Sequence, residues 1–410
     1  MKVKFFLLFG ILWCGSLGAQ QKIRLNNDWQ FLKQDLGGIW EAVRPVKQGN
    51  PEEVPLWTNV TLPHCVNAED AVDPDVNYYQ GPSWYKTQLD IKNPYANGKT
   101  ILHFEGAGQK TDVYVYTTKV GSHVGGYDEF SFDITDAVEA FKKTDVFQKE
   151  FKGKVPVSIR TDNSRDLEMM PSDLSDFNLY GGIYRYLNLV YTPATYVKQL
   201  FAFAEVDSLG RRGKLKVSAR FNELQNGAAG LLRLVDPAGK IVQEKSFNLQ
   251  AGVVPSDKNF LAEFSVAKPV LWSTEKPLLY TVETIIESAG GDYTERERIG
   301  FRHFEFVKKG PFKINGKRLL VRGTHRHEDH AGVAAAMTDD MMQQEMIMMK
   351  EMGVNFIRLG HYQQSRTILD LCDSLGIVVW EEIPWCRGGL GGEVYREQGR
   401  RMLSNMIEQH

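Results

Sequence analysis

Gly310-Pro311-Phe312-Lys313-Ile314-Asn315-Gly316-Lys317 leads into Leu319-Leu320-Val321-Arg322-Gly323, and that run leads directly into Thr324-His325-Arg326-His327-Glu328-Asp329-His330. After a helical stretch the pattern recurs as Asn355-Phe356-Ile357-Arg358-Leu359-Gly360-His361-Tyr362. Twice, a short apolar run ends in titratable side chains. Parallel barrel strands that carry a site at their C-terminal ends read this way.

The segments between these runs support a strand–helix rhythm. Thr338-Asp339-Asp340 is an N-cap signal with acidic residues in the first turn, so a helix is predicted over Met341–Met352, closed by Gly353. Its methionines read as core filler. Strands at 319–323, 354–359 and 377–383, a helix at 365–375 closed by Gly376 and a last helix over Glu393–His410 make three consecutive βα units.

Upstream the rhythm is different. Residues 22–192 hold β-rich runs at Trp84–Ile91, Lys99–Glu105, Thr111–Tyr116, Val155–Arg160 and Tyr184–Tyr191. Asn97-Gly98, Gly125-Gly126 and Gly181-Gly182 supply turns between them, which indicates a sandwich or jelly roll. Residues 196–304 repeat the pattern at Lys214–Phe221, Gly230–Val235, Leu261–Val266, Leu279–Ile286 and Glu295–Ile299. Asp236-Pro237-Ala238-Gly239 forms a turn there, and the segment fits an immunoglobulin-like sandwich. Residues 305–410 hold the βα units.

With 410 residues, 42% hydrophobic and 24% charged, the chain is a folded protein of several domains. A formal net charge of −2 without a basic, aromatic-interleaved patch argues against a nucleic-acid partner. Lys2 and Lys4 precede the apolar run Phe5–Trp13, and small residues follow to Ala19, so residues 1–19 are read as a signal peptide. The run is too short for a membrane span, and bulky Trp13 disfavours a lipid anchor on Cys14. The mature protein is thus expected to be secreted or periplasmic, with no membrane association. Of four cysteines, Cys65, Cys372 and Cys386 lie beyond residue 19, which is no disulfide framework.

Three readings of His325, His327, Glu328, Asp329 and His330 stay open from spacing alone: a metal site, a polar subsite for substrate hydroxyls, and a hydrated loop. His361, past the next strand, favours the second. Arg358 is either an orienting partner for a carboxylate or a packing residue. Of Glu381 and Glu382 only one faces the barrel lumen, because neighbouring strand residues point to opposite faces. Trp385 is either a stacking platform for a sugar or a packed loop residue. Asp173, Asp176, Asn178 and Tyr180, ahead of Gly181-Gly182, read by themselves as turn formers.

Together these residues resemble glycoside hydrolase family 2, the family of β-galactosidases and β-glucuronidases. The resemblance rests on Gly81-Pro82-Ser83-Trp84-Tyr85, Gly125-Gly126-Tyr127-Asp128-Glu129-Phe130 and Asp176–Arg185 in the first segment. Leu271–Tyr280 and Ile299-Gly300-Phe301-Arg302 carry it in the second, and Asn315-Gly316-Lys317, Arg326–Asp329 and Asn355–Arg358 in the third. It implies a jelly-roll sugar-binding domain, an immunoglobulin-like domain and a TIM barrel, with retaining hydrolysis of a β-glycoside by two glutamates. It also implies that His327 and His361 contact the sugar, that Arg358 supports the site and that Asp176 reaches in from the first domain. Glu328, Glu382 and Trp385 are further candidates.

A terminal β-galactoside is the expected substrate, with a β-glucuronidase-type member or a non-catalytic carbohydrate-binding fragment as the alternatives. No cofactor and no metal are expected, since Cys386 and Gly388 stand where some β-galactosidases place magnesium ligands. The partner is a β-linked oligosaccharide or glycoside, and a homo-oligomer is compatible with the reading. Gly360-His361-Tyr362-Gln363 departs from the family's Ser-His-Tyr-Pro, so a different local turn is expected. Three βα units fall short of the eight in a barrel of roughly 250 residues. The acid/base and nucleophile glutamates, which the family places on later strands, are absent from the sequence. The expectation is therefore an N-terminal portion, incomplete inside its barrel and without competent catalysis.

Overall fold

The computed structural model describes residues 21–44, 56–172, 175–250, 252–387 and 391–409. The expected signal peptide, Asp173 and Gly388 lie outside the described residues.

Two antiparallel sheets face each other in the first domain. One orders Gln21–Arg24, Leu187–Thr192, Lys99–Phe104 and Phe130–Asp133. The other orders Thr58–Val60, Trp29–Leu32, Pro82–Leu89, Val155–Asp162, Lys110–Val115 and Thr118–Val124. Alternation along Lys110–Val115 sends Thr111, Val113 and Val115 inward. There they join a core with Trp29, Tyr85, Leu102, Phe104, Ile159 and Leu189.

Half-buried near this core, His64 places Nδ1 2.8 Å from the Tyr85 hydroxyl. Burial, assisted by the charge of Lys33, pushes its pKa down to about 4. An unfolded histidine titrates near 6.5, so below that pH the unfolded chain takes up a proton that the folded chain refuses. This contribution to stability is complete above pH ~6.5 and is lost progressively towards pH ~4, amounting to roughly 3 kcal/mol. His64→Gln should flatten that part of the profile. Thermal midpoints of the two proteins between pH 7 and 4.5 check this, and parallel profiles would refute it.

The second domain is a sandwich of three strands (Val197–Val206, Arg212–Phe221, Asn259–Ala267) against four (Ile241–Phe247, Ala229–Val235, Tyr280–Glu287, Tyr293–Ile299). Alternate residues of Arg212–Phe221 enter its core beside Phe264, Val282 and Phe301. The Asp236 turn forms as its chemistry requires. The Asp236 carboxylate accepts from Ala238 N and Lys240 N, and Gly239 adopts φ +83°.

A small antiparallel unit, Phe304–Phe306, Phe312–Ile314 and Lys317–Arg318, leads into the third domain. Three parallel strands follow, Gly323–Arg326, Phe356–Leu359 and Val378–Glu381, with helices Asp339–Glu351, Arg366–Leu375 and Glu393–Gln409. The first strand corrects the expectation of 319–323. Leu319 packs with Trp272 and Ile314 at the domain junction, so pairing with Phe356–Leu359 starts only at Gly323. His325 thereby sits inside the strand rather than after it.

The helix caps form as read: the Thr338 hydroxyl accepts from Met341 N, and Gly376 ends the second helix at φ +72°. Met337, Met342 and Met346 fill the core between helices and strands. Leu320, Val321, Trp380, Val394 and Ile407 remain exposed. A barrel closes with eight units; three are present here. Among the described residues, no helix is long and apolar enough to cross a membrane.

Candidate functional site

Arg358 lies in the second barrel strand and Glu382 just past the end of the third, and the two strands pair in parallel register. The two side chains form a two-pronged ion pair, Nε to Oε1 at 2.5 Å and Nη2 to Oε2 at 2.9 Å. His361 leans on both, its Nδ1 3.0 Å from Arg358 Nη2 and 3.4 Å from Glu382 Oε2. Burial opposes ionisation of Glu382, but the hydrogen bond and charge of Arg358 outweigh it and hold the carboxyl below its usual range. Glu382 is therefore an ionised brace for His361, not a proton donor.

His327, just past the first strand, lies beside this group with its ring centre 5.4 Å from that of His361. Its Nδ1 is 3.3 Å from the buried Tyr362 hydroxyl. Burial lowers its pKa, so the ring is neutral over most of the physiological range.

The first domain supplies the opposite side. Asn67 and Asn163 fasten the base of the loop that carries Asp176. Asn67 Oδ1 accepts from Gly181 N at 2.9 Å, and Asn163 Nδ2 donates to Leu179 O at 3.0 Å. From this base Phe177 packs over the barrel groups, 6.0 Å from both histidine rings and 5.1 Å from Tyr362. Asp176 accepts from the Cys386 thiol at 2.8 Å and pairs with Arg387 Nε at 3.0 Å. The thiol hydrogen bond, with Arg387, lowers the Asp176 pKa. Asp176, His327, Arg358 and His361, which come from separate parts of the sequence, thus meet on one surface.

Glu328 stands apart from it. It is 3% exposed beneath the site and takes both prongs of Arg185, which is 4% exposed, at 2.9 Å each. Ser365 N donates to it as well. As a candidate sugar contact it is corrected: its carboxylate is fully engaged inside the domain junction. Trp385 is 54% exposed at the rim, open to stacking. His325, His327 and His330 do not converge, since the His330 ring turns to Ala331 O. Among the described residues the grouping that brings metal-type donors together is instead Asp176, His361 and Cys386.

Phe177, Tyr362 and Arg387 were not singled out from the sequence. Phe177 had one signal, its place next to Asp176 in the Gly-Gly-terminated loop. Arg387 had none. The Gly360–His361 peptide is cis, and Gln363 is buried and offers its carbonyl to Arg185.

Three domain models match this arrangement: the family 2 sugar binding domain over residues 28–193, the glycosyl hydrolases family 2 model over 195–302 and the family 2 TIM barrel domain over 306–396. The chain belongs to glycoside hydrolase family 2. It is similar to the β-glucuronidase structure from Parabacteroides merdae, with 61% identity and a TM-score of 0.92 over 95% of this chain and 48% of that one. A Bacteroides fragilis β-glucuronidase is 32% identical over 99% of this chain and 56% of its own length. A Thermoanaerobacter pseudethanolicus β-galactosidase is 29% identical over 94% and 49%. The chain spans about half the length of these relatives.

Proposed function

We propose that this chain is the sugar-gripping part of an exported β-glucuronidase, with Asp176, His327 and His361 contacting the sugar and Arg358 and Glu382 bracing His361. The observation that carries the reading is the 61% identity to a β-glucuronidase across the three domains that assemble the site. The expectation of a β-galactoside gives way for the same reason, since the β-galactosidase relative stands at 29%. The Lys2–Ala19 segment supports export.

Retaining hydrolysis needs a carboxylic acid that keeps its proton and a second carboxylate across the scissile bond. Both carboxylates described at this site, Asp176 and Glu382, are held ionised by their partners. The 410-residue chain is accordingly expected to bind glucuronate without cleaving glycosides. A protein of this sequence carrying all eight βα units is expected to prefer para-nitrophenyl β-D-glucuronide over the β-galactoside by at least roughly 10² in kcat/KM. A preference for the galactoside would overturn the substrate class. Turnover by the 410-residue chain alone would overturn its non-catalytic role.

A further inference from the structure

The geometry points to a soft divalent-cation site at Asp176, His361 and Cys386, of the kind that takes Zn²⁺. One carboxylate oxygen, one imidazole nitrogen and one thiol sulfur lie within 4.8 Å of one another. Carboxylate, imidazole and thiolate are the ligand types of zinc. Zinc bonds of about 2.0–2.3 Å place tetrahedral ligands roughly 3.3–3.8 Å apart, so small side-chain rotations close the set. Three protein ligands leave the fourth position to water.

The surroundings fit the ligand roles. Arg387 occupies Oδ2 of Asp176, whereas the thiol already points at Oδ1. Replacing the thiol proton by a cation widens the 2.8 Å sulfur–oxygen separation to tetrahedral spacing and leaves the Arg387 pair intact. The contacts of His361 to Arg358 and Glu382 are all made at Nδ1. Binding through Nε2 puts the ring proton on Nδ1, where Glu382 Oε2 accepts it once Arg358 Nη2, which can only donate, turns from Nδ1 wholly onto the carboxylate. A carboxylate behind the ligating histidine is a recurrent support that orients the ring and raises its basicity. The set shares only the Cys386 position with the family's magnesium site, and it takes its other donors, Asp176 and His361, from two domains. Since Asp176 and His361 are also the proposed sugar contacts, a bound cation would exclude the sugar; that consequence rests on the proposed function, whereas cation binding does not.

Cobalt titration of the full chain tests the site, because thiolate ligation gives Co²⁺ a sulfur-to-metal charge-transfer band in the near ultraviolet. Cys65 and Cys372 are buried, so with Cys14→Ser as the background the band reports Cys386. The expected result is a band saturating at one equivalent and reversed by zinc. Cys386→Ser should abolish it, and Glu382→Gln should weaken binding by roughly 10–100-fold. Asp176→Asn, which leaves the thiol in place and changes an exposed residue, is expected to weaken binding by more than about tenfold. Absence of the band at saturating cobalt, or its persistence in Cys386→Ser, overturns the inference. No glycoside is turned over in this experiment, so its outcome is independent of the substrate class.

Discussion

Glu328→Ala is expected to destabilise the chain by about 3–5 kcal/mol, the cost of leaving a buried charge without its partner. Arg185 would keep its contacts to Glu105 O, Tyr127 O and Gln363 O, but three neutral acceptors do not balance a guanidinium that burial penalises. The loss should appear at the junction of the first domain and the barrel. Glu328 joins Arg185 of one to Ser365 N of the other, while Tyr362 accepts from Glu328 N and stacks on Tyr127 at 4.2 Å. Urea unfolding of the variant reads the effect. Replacing both partners, as in Arg185→Met with Glu328→Leu, should recover much of it, because a well-packed apolar pair can match a buried ion pair. A loss below about 1 kcal/mol for the single change would place the junction's stability elsewhere.

In a protein carrying the whole barrel, His361→Ala is expected to lower kcat/KM for a β-glucuronide by roughly 10²–10³, the usual loss when one preorganised polar contact to developing charge is removed. Arg358 and Glu382 fix the His361 ring before substrate arrives, and Phe177 stacks on it from the other domain at an interplanar angle of 21°. Arg358→Lys should lower kcat more than it raises KM, since lysine keeps the charge but loses the two-pronged grip that aims the ring. Steady-state kinetics on para-nitrophenyl β-D-glucuronide decide both. An unchanged kcat in His361→Ala would remove the histidine from the machinery.

Much of this fold is legible in the residues, and the failures have physical causes. Strands with one buried face, such as Arg212–Phe221 and Lys110–Val115, announce themselves by alternation. The edge strand Ile241–Phe247 is exposed along most of its length, and its polar sequence carries no such signal. The first barrel strand begins later than its apolar run suggests, because Leu319 serves the domain junction while Leu320 and Val321 stay exposed, and periodicity cannot tell that from a barrel strand. His327, Arg358 and His361 were visible because they end apolar runs. Asp176 is legible only through the family resemblance, because by itself the turn chemistry around it explains it equally well; Asn67 and Asn163 hold its loop. Glu328 looked like a site residue for its company in the sequence, and only burial separates it from His327 beside it.

Side chains from two domains are proposed to form one sugar-gripping wall. The most direct measurement is a titration of the 410-residue chain with D-glucuronate, followed by the NMR signals of the His327 and His361 imidazoles. Both rings are expected to shift together along one saturable curve, and Asp176→Ala, changed in the other domain, should weaken that curve for both. Shifts confined to one histidine, or a curve indifferent to Asp176, would contradict the shared wall.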